Sequence, residues 1–202
     1  MDEVRHRFAR CARPLRWVGW LILRLSGWRV TSVPLEMDRA VVIAAPHTSN
    51  WDFWFGLAGA WELGISWSWL GKDSLFRAPW GGLMKALGGV PVDRSAPHGM
   101  VGEAAAWLRE RPGLFLVVPA EGTRKWAPRW KSGFYWMAVQ AQVPIVLGFV
   151  DFKERRVGLG EVVVPTGDVR ADMARIRAFY ATKTAAFPEL AGPVVLKEEE
   201  ET

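Results

Sequence analysis

In the stretch APHTSNWDFW, residues 45–54, His47 stands five positions ahead of Asp52. An imidazole titrates near neutrality, so it can take a proton from a hydroxyl as that oxygen attacks and return the proton later. A carboxylate beside one ring nitrogen fixes the tautomer and stabilises the imidazolium, as the acid of a catalytic triad does. Of the three histidines, His6, His47 and His98, only His47 sits in such a motif. The same residues admit a structural reading. Ser49 followed by Asp52 fits the S-x-x-D capping box, in which hydroxyl and carboxylate satisfy free N–H groups of a first helical turn. The stretch is therefore a catalytic pair, a helix cap, or both.

Two more polar loops carry groups capable of chemistry. One is Asp93-Arg94-Ser95 and the other is PAEGTRKWAPRWK, residues 119–131. Arg94 and Arg124 have the planar fork that binds phosphate through paired hydrogen bonds; the structural alternative is ion pairs with Asp93 or Glu121. Gly122 lets backbone approach a ligand closely, Thr123 can donate a hydroxyl hydrogen bond, and Glu121 suits loop organisation better than proton transfer. Lys72, Lys125 and Lys131 read as solvated. No G-x-S-x-G elbow occurs, and the lone Cys11 lies in a basic amphipathic segment and reads as a bystander. The scattered histidines have no metal-ligand spacing, so neither metal nor other cofactor is expected, and one cysteine forms no intrachain disulfide, which points to a reduced compartment.

These loops need elements to hold them. RAVVIAA (39–45) is a continuous apolar run rich in β-branched residues, hence a buried strand, and WDFWFGLAGAWELG (51–64) reads as a helix closed by Gly64. ISWSWLG, VPV, GLFLVV, VPIVLGFV and VGLGEVVV read as further strands. Between them fall a short helix opened by Pro79, a helix over 98–111 that puts Val101, Ala104, Ala105 and Leu108 on one face, and one over 132–142. A last helix from Asp168 presents Met173, Ile176, Phe179 and Tyr180. Such alternation predicts a single α/β domain with a mostly parallel sheet flanked by helices. The three polar loops each follow a strand, so they can converge at the carboxyl ends of the sheet, where ligands bind in such folds.

At 202 residues, half of them apolar, the chain can bury one substantial core. Its charge is +5 and unevenly spread: seven arginines fall in the first 30 residues, opposed by Asp2 and Glu3. That start contains LRWVGWLILRLSGW, whose longest apolar run, Trp17 to Leu23, is far short of the roughly 20 residues a spanning helix needs. With Pro14 opening a helix, Trp17, Val18, Leu21, Ile22 and Leu25 share one broad face, while Arg16, Gly19 and Ser26 fall toward the other. The pattern fits a helix lying in a membrane interface, or one packed on the protein's own core; a secretory signal fits less well, because no small-residue cleavage site follows. The 13 tryptophans favour membrane contact. The expected organisation is a basic membrane-associating segment over 1–30, a catalytic domain over 31–190 and an acidic, solvated and disordered tail over 191–202.

In these motifs the chain resembles the glycerophospholipid acyltransferases, which include the lysophosphatidate (1-acylglycerol-3-phosphate) acyltransferases. The family's H-x4-D matches His47 and Asp52, its G-x-x-x-x-D-R matches Gly88 to Arg94, its E-G-T-R matches Glu121 to Arg124, and its V-P-I stretch matches Val143 to Ile145. The likeness covers about residues 38–165 and points to a small bacterial branch. The chain departs in having Pro119-Ala120 where the family usually has Phe-Pro. The resemblance implies His47 as base, Asp52 as its partner, and Arg94, Glu121, Gly122, Thr123 and Arg124 at the acceptor phosphate. It also implies transfer of a fatty acyl chain from acyl-CoA or acyl carrier protein to a lysophospholipid hydroxyl, lysophosphatidate first, with the protein on the cytoplasmic face of the inner membrane. The alternatives are a different acceptor, such as a lyso-aminolipid, or a lipid-binding protein of the same fold without turnover. A nucleic-acid binder is disfavoured, because the basic residues lie beside an apolar stretch and no recognition motif is evident.

Overall fold

The computed structural model describes residues 12–92 and 97–200. In chain order the elements are α1 (Arg13–Ser26), β1 (Arg29–Ser32), β2 (Ala40–Ala45), α2 (Asn50–Leu63), β3 (Trp67–Lys72), α3 (Gly81–Ala86), β4 (Gly89–Val92), α4 (Pro97–Glu110), β5 (Phe115–Val118), α5 (Gly133–Ala141), β6 (Ile145–Asp151), β7 (Arg156–Val163) and α6 (Val169–Tyr180). The strands form one sheet in the order β1-β7-β6-β2-β5-β3-β4, and every pairing is parallel except that of β6 with β7. The expected α/β domain with a mostly parallel, helix-flanked sheet is the observed one.

The apolar run of β2 reflects its place. Val41 pairs with Leu116 on one side and Ile145 on the other, so β2 is a central strand bonded along both edges, and side chains pack on both of its faces. Val41, Ile43, Leu116, Ile145 and Leu147 meet Leu108 of α4, Phe134 of α5 and Met173 of α6. Ala40, Val42, Phe115 and Val117 face the opposite way, toward Leu63 and Ile65 at the end of α2. Gly64 stops α2 in the left-handed conformation, φ 76°, with its N–H on the carbonyl of Trp61 and that of Ile65 on Ala60.

The first 30 residues hold two departures from expectation. β1 pairs in parallel with β7, Arg29 opposite Arg156, and crosses the boundary drawn at residue 30. It is a short edge strand with little burial, so it lacks the apolar signal that marks the others. α1 does pack on the protein, but not through its broad apolar face. Gly19 and Leu23 are its buried residues, and a Cβ on Gly19 would lie 2.4 Å from the carbonyl oxygen of Ala58, so glycine is what lets α1 and α2 approach backbone to backbone. Trp17 and Leu25 remain 71% and 79% exposed, and Val18, Trp20, Leu21 and Ile22 are exposed with them. Gly19, assigned to the polar side, is instead the contact. Among the described residues no helix is long and apolar enough to cross a membrane.

The chain end is docked rather than solvated as far as residue 200. Leu196 is buried in the main core, Arg177 of α6 binds the Glu199 carboxylate, the Trp136 indole N–H donates to Glu198 at 3.3 Å, and Arg129 pairs with Glu200 at 3.0 Å. An acidic run reads as a free tail when the cations that meet it lie far away in sequence.

Candidate active site

His47 follows β2 by two residues, the 119–131 loop follows β5, and Lys72 ends β3, so all three reach the same edge of the sheet. Two of the three anticipated loops meet there; Asp93, Arg94 and Ser95 lie outside the described residues.

The capping box exists and so does the His–Asp contact. The Ser49 hydroxyl accepts from the Trp51 N–H at 3.1 Å, while Asp52 Oδ2 accepts from the backbone N–H groups of Thr48 at 2.8 Å and Ser49 at 2.7 Å. That oxygen also lies 3.3 Å from His47 Nδ1. Asp52 is buried, whereas the His47 side chain is partly open to solvent. The histidine therefore has Nδ1 directed at a fixed carboxylate, which leaves Nε2 for an incoming group.

Glu121 has a place that sequence did not supply. It turns to the neighbouring loop, where its Oε2 accepts from the His47 backbone N–H at 2.6 Å. It thus anchors the histidine's main chain and is not paired with Arg124. Burial pushes its carboxyl up to about 7; the His47 hydrogen bond pulls the other way, and the Asp52 charge adds a smaller upward push. Between about pH 4.5 and 7 the unfolded carboxyl has ionised while the folded one still holds its proton. Unfolding then releases a proton, and stability falls as pH rises. Glu121→Gln keeps an acceptor for His47 and removes the titration. Urea denaturation from pH 5 to 8 should show the wild type losing on the order of 2–3 kcal/mol relative to this variant. Parallel stability curves would mean that Glu121 is ionised in the folded protein throughout.

Beside the pair opens a cavity of about 850 Å³, within the range typical of small-molecule sites. It lies between α2 and the sheet. Val42, Phe115, Val117 and Leu159 form one wall, Gly56, Ala60 and Leu63 another, and Trp54, Trp67 and Trp69 a third. At its mouth are His47 and Asp52 with Gly122, Thr123, Arg124 and Lys125. Gly122 holds φ +70°, so the loop needs glycine there. The Thr123 hydroxyl accepts from the Lys125 N–H at 3.2 Å and keeps its own hydrogen to donate. Arg124 is exposed and forms no ion pair among the described residues. The cavity was the feature sequence reading missed. Gly56 and Gly59 inside α2 mark where that helix lies closest to sheet side chains: a Cβ there would come within 3.0 Å of the Trp67 ring and 3.2 Å of Val157.

The layout sets a His–Asp pair at the carboxyl end of a mostly parallel sheet, beside an apolar cavity, an arrangement able to join proton transfer to the binding of an apolar group. Residues 29–146 match the family model for acyltransferases, and the chain belongs to that acyltransferase family. No curated protein matches it. Among solved structures it is similar to PlsC, the 1-acyl-sn-glycerophosphate (LPA) acyltransferase of Thermotoga maritima. The TM-score is 0.57 at 16% identity, over 83% of this chain and 75% of that one.

Proposed function

We propose that the protein transfers a fatty acyl chain from a thioester donor, acyl-CoA or acyl carrier protein, to the hydroxyl of lysophosphatidate. The observation that carries this reading is the 3.3 Å contact of His47 Nδ1 with Asp52 at the mouth of an apolar cavity. His47 Nε2 takes the acceptor's hydroxyl proton as its oxygen forms a bond to the thioester carbonyl carbon; the tetrahedral intermediate then breaks the C–S bond, and the departing thiolate takes the proton from the imidazolium. The acceptor hydroxyl is the nucleophile, so the chain needs none of its own. Asp52 holds the ring and stabilises its charged form, the cavity takes an acyl chain out of water, and Arg124, with Arg94, meets the acceptor phosphate. Family membership and the fold shared with the Thermotoga maritima enzyme support this assignment.

The site of action on this reading is a bilayer surface, the cytoplasmic face of the inner membrane. The exposed apolar face of α1, flanked by Arg13, Arg16 and Arg24, supports it. Turnover with lysophosphatidate, a lyso-aminolipid and monoacylglycerol, each with both donor classes and read by mass spectrometry, tests the proposal. Phosphatidate is the expected product. A different dominant product reassigns the acceptor, and binding without any product leaves a lipid-binding protein.

A further inference from the structure

At the other edge of the sheet from α1, the connection between β3 and β4 carries large apolar side chains that are exposed among the described residues. Leu75, Trp80 and Leu83 are 48%, 66% and 46% exposed. They are not displaced core residues. Phe76 turns inward from the same connection to meet Trp69 at 5.8 Å, and Gly81 packs so close to the Phe76 carbonyl that a Cβ would lie 2.0 Å from its oxygen. The segment is pinned from beneath while its outer side stays apolar. Leu75 and Met84 also line the cavity, so the exposed lip is continuous with its interior. Lys72, Arg77 and Lys85 are exposed along the same segment, against one acid, Asp73, which pairs with Arg77 at 3.5 Å.

The connection leaves β3 at its carboxyl end, the end that carries His47. α1 reaches that end too: β1 runs opposite to β2 and therefore starts there, and Trp28, just after α1, stacks on Phe55 in the first half of α2 at 4.0 Å. The cavity mouth thus lies between two outward apolar surfaces at the two edges of the sheet.

We propose that the β3–β4 connection is a second lipid-contact lip, inserting Leu75, Trp80 and Leu83 into an anionic phospholipid bilayer while Lys72, Arg77 and Lys85 meet its headgroups. This rests on the reading that the enzyme works at a bilayer surface, and it extends that reading from one attachment to two. Apolar groups beneath the headgroups with cations above them form the arrangement that binds anionic interfaces. With α1 alone the protein could pivot on the membrane. With a lip on each side, the mouth is held over the lipid, and an acyl chain passes from bilayer to cavity along Leu75 and Met84 without crossing water.

The test uses the full chain with Cys11→Ser and one added cysteine at a time, Leu83→Cys, Leu25→Cys or Glu110→Cys, carrying an environment-sensitive nitrobenzoxadiazole dye. Glu110 is exposed at the end of α4, at the opposite edge of the strands. On vesicles of phosphatidylcholine with phosphatidylglycerol, the dye at 83 should shift to the blue and be quenched by nitroxide lipids, as should that at 25, while that at 110 stays unchanged. In unlabelled protein, Trp80→Ser with Leu83→Ser should lower vesicle partitioning about tenfold. Response at 25 but not at 83, with partitioning unchanged, overturns the second lip and leaves the membrane reading intact. Silence at both positions overturns the two together. A shift at 83 that appears without vesicles and grows with protein concentration assigns the surface to a second copy of the chain and also overturns it, as does equal response at all three positions.

Discussion

Replacing His47 with alanine should slow acyl transfer by about 10²- to 10⁴-fold, the range that general-base catalysis contributes. The fold should survive, because the side chain is partly open to solvent and the backbone N–H that binds Glu121 remains. Asp52→Asn separates the two duties of the carboxylate. Its amide oxygen can stand where Oδ2 stands and still accept from Thr48, Ser49 and His47, so the helix start and the ring orientation persist while the negative charge is lost. Turnover should then drop substantially with little change in circular dichroism. Asp52→Ala removes all three contacts and should also cost about 1 kcal/mol in stability through the lost cap. Purified, folded His47→Ala with near-normal turnover would show that another group is the base.

Arg124→Ala is expected to lower kcat/KM for a phosphorylated lysolipid by roughly 10- to 150-fold, the equivalent of losing a charge-assisted hydrogen bond of about 1.5–3 kcal/mol. The side chain is exposed and without an ion pair among the described residues, so stability should change by less than about 0.5 kcal/mol. Monoacylglycerol, which has the hydroxyl and the chain but no phosphate, supplies the control and should be used almost as well by the variant as by the wild type. Arg94→Ala belongs in the same experiment. Equal loss with both acceptors would make Arg124 a structural residue of its loop.

The strands and helices that build the sheet were legible where periodicity and punctuation agreed. β2 is a solid apolar run, α2 begins at a serine and ends at Gly64, and α6 places Met173, Ile176 and Tyr180 on one buried side. The His47–Asp52 pair was legible because both members sit within one turn of chain. Glu121 was not, since its partner is a backbone N–H 74 positions away and no side-chain pattern records a main-chain contact. The cavity was invisible for a related reason: it is a space between α2 and five strands, β2, β3, β5, β6 and β7, set by how far apart they pack. In α1 the apolar face was legible and the protein contact was not, because amphipathic periodicity identifies a face without saying what meets it. There the narrow strip of Gly19 and Leu23 won the protein contact, since close backbone approach needs a small residue more than a wide apolar surface.

The sharing of one carboxylate oxygen between helix start and imidazole acts as an interlock. Fraying of the first turn of α2 would remove the Thr48 and Ser49 bonds and the carboxylate that faces His47 Nδ1 in the same event. On the proposed mechanism, activity should therefore fall under conditions that open this one turn, ahead of global unfolding. A molecule with this turn open would, on the same mechanism, also lack an oriented base toward water, so loss of transfer should not be replaced by hydrolysis of the donor.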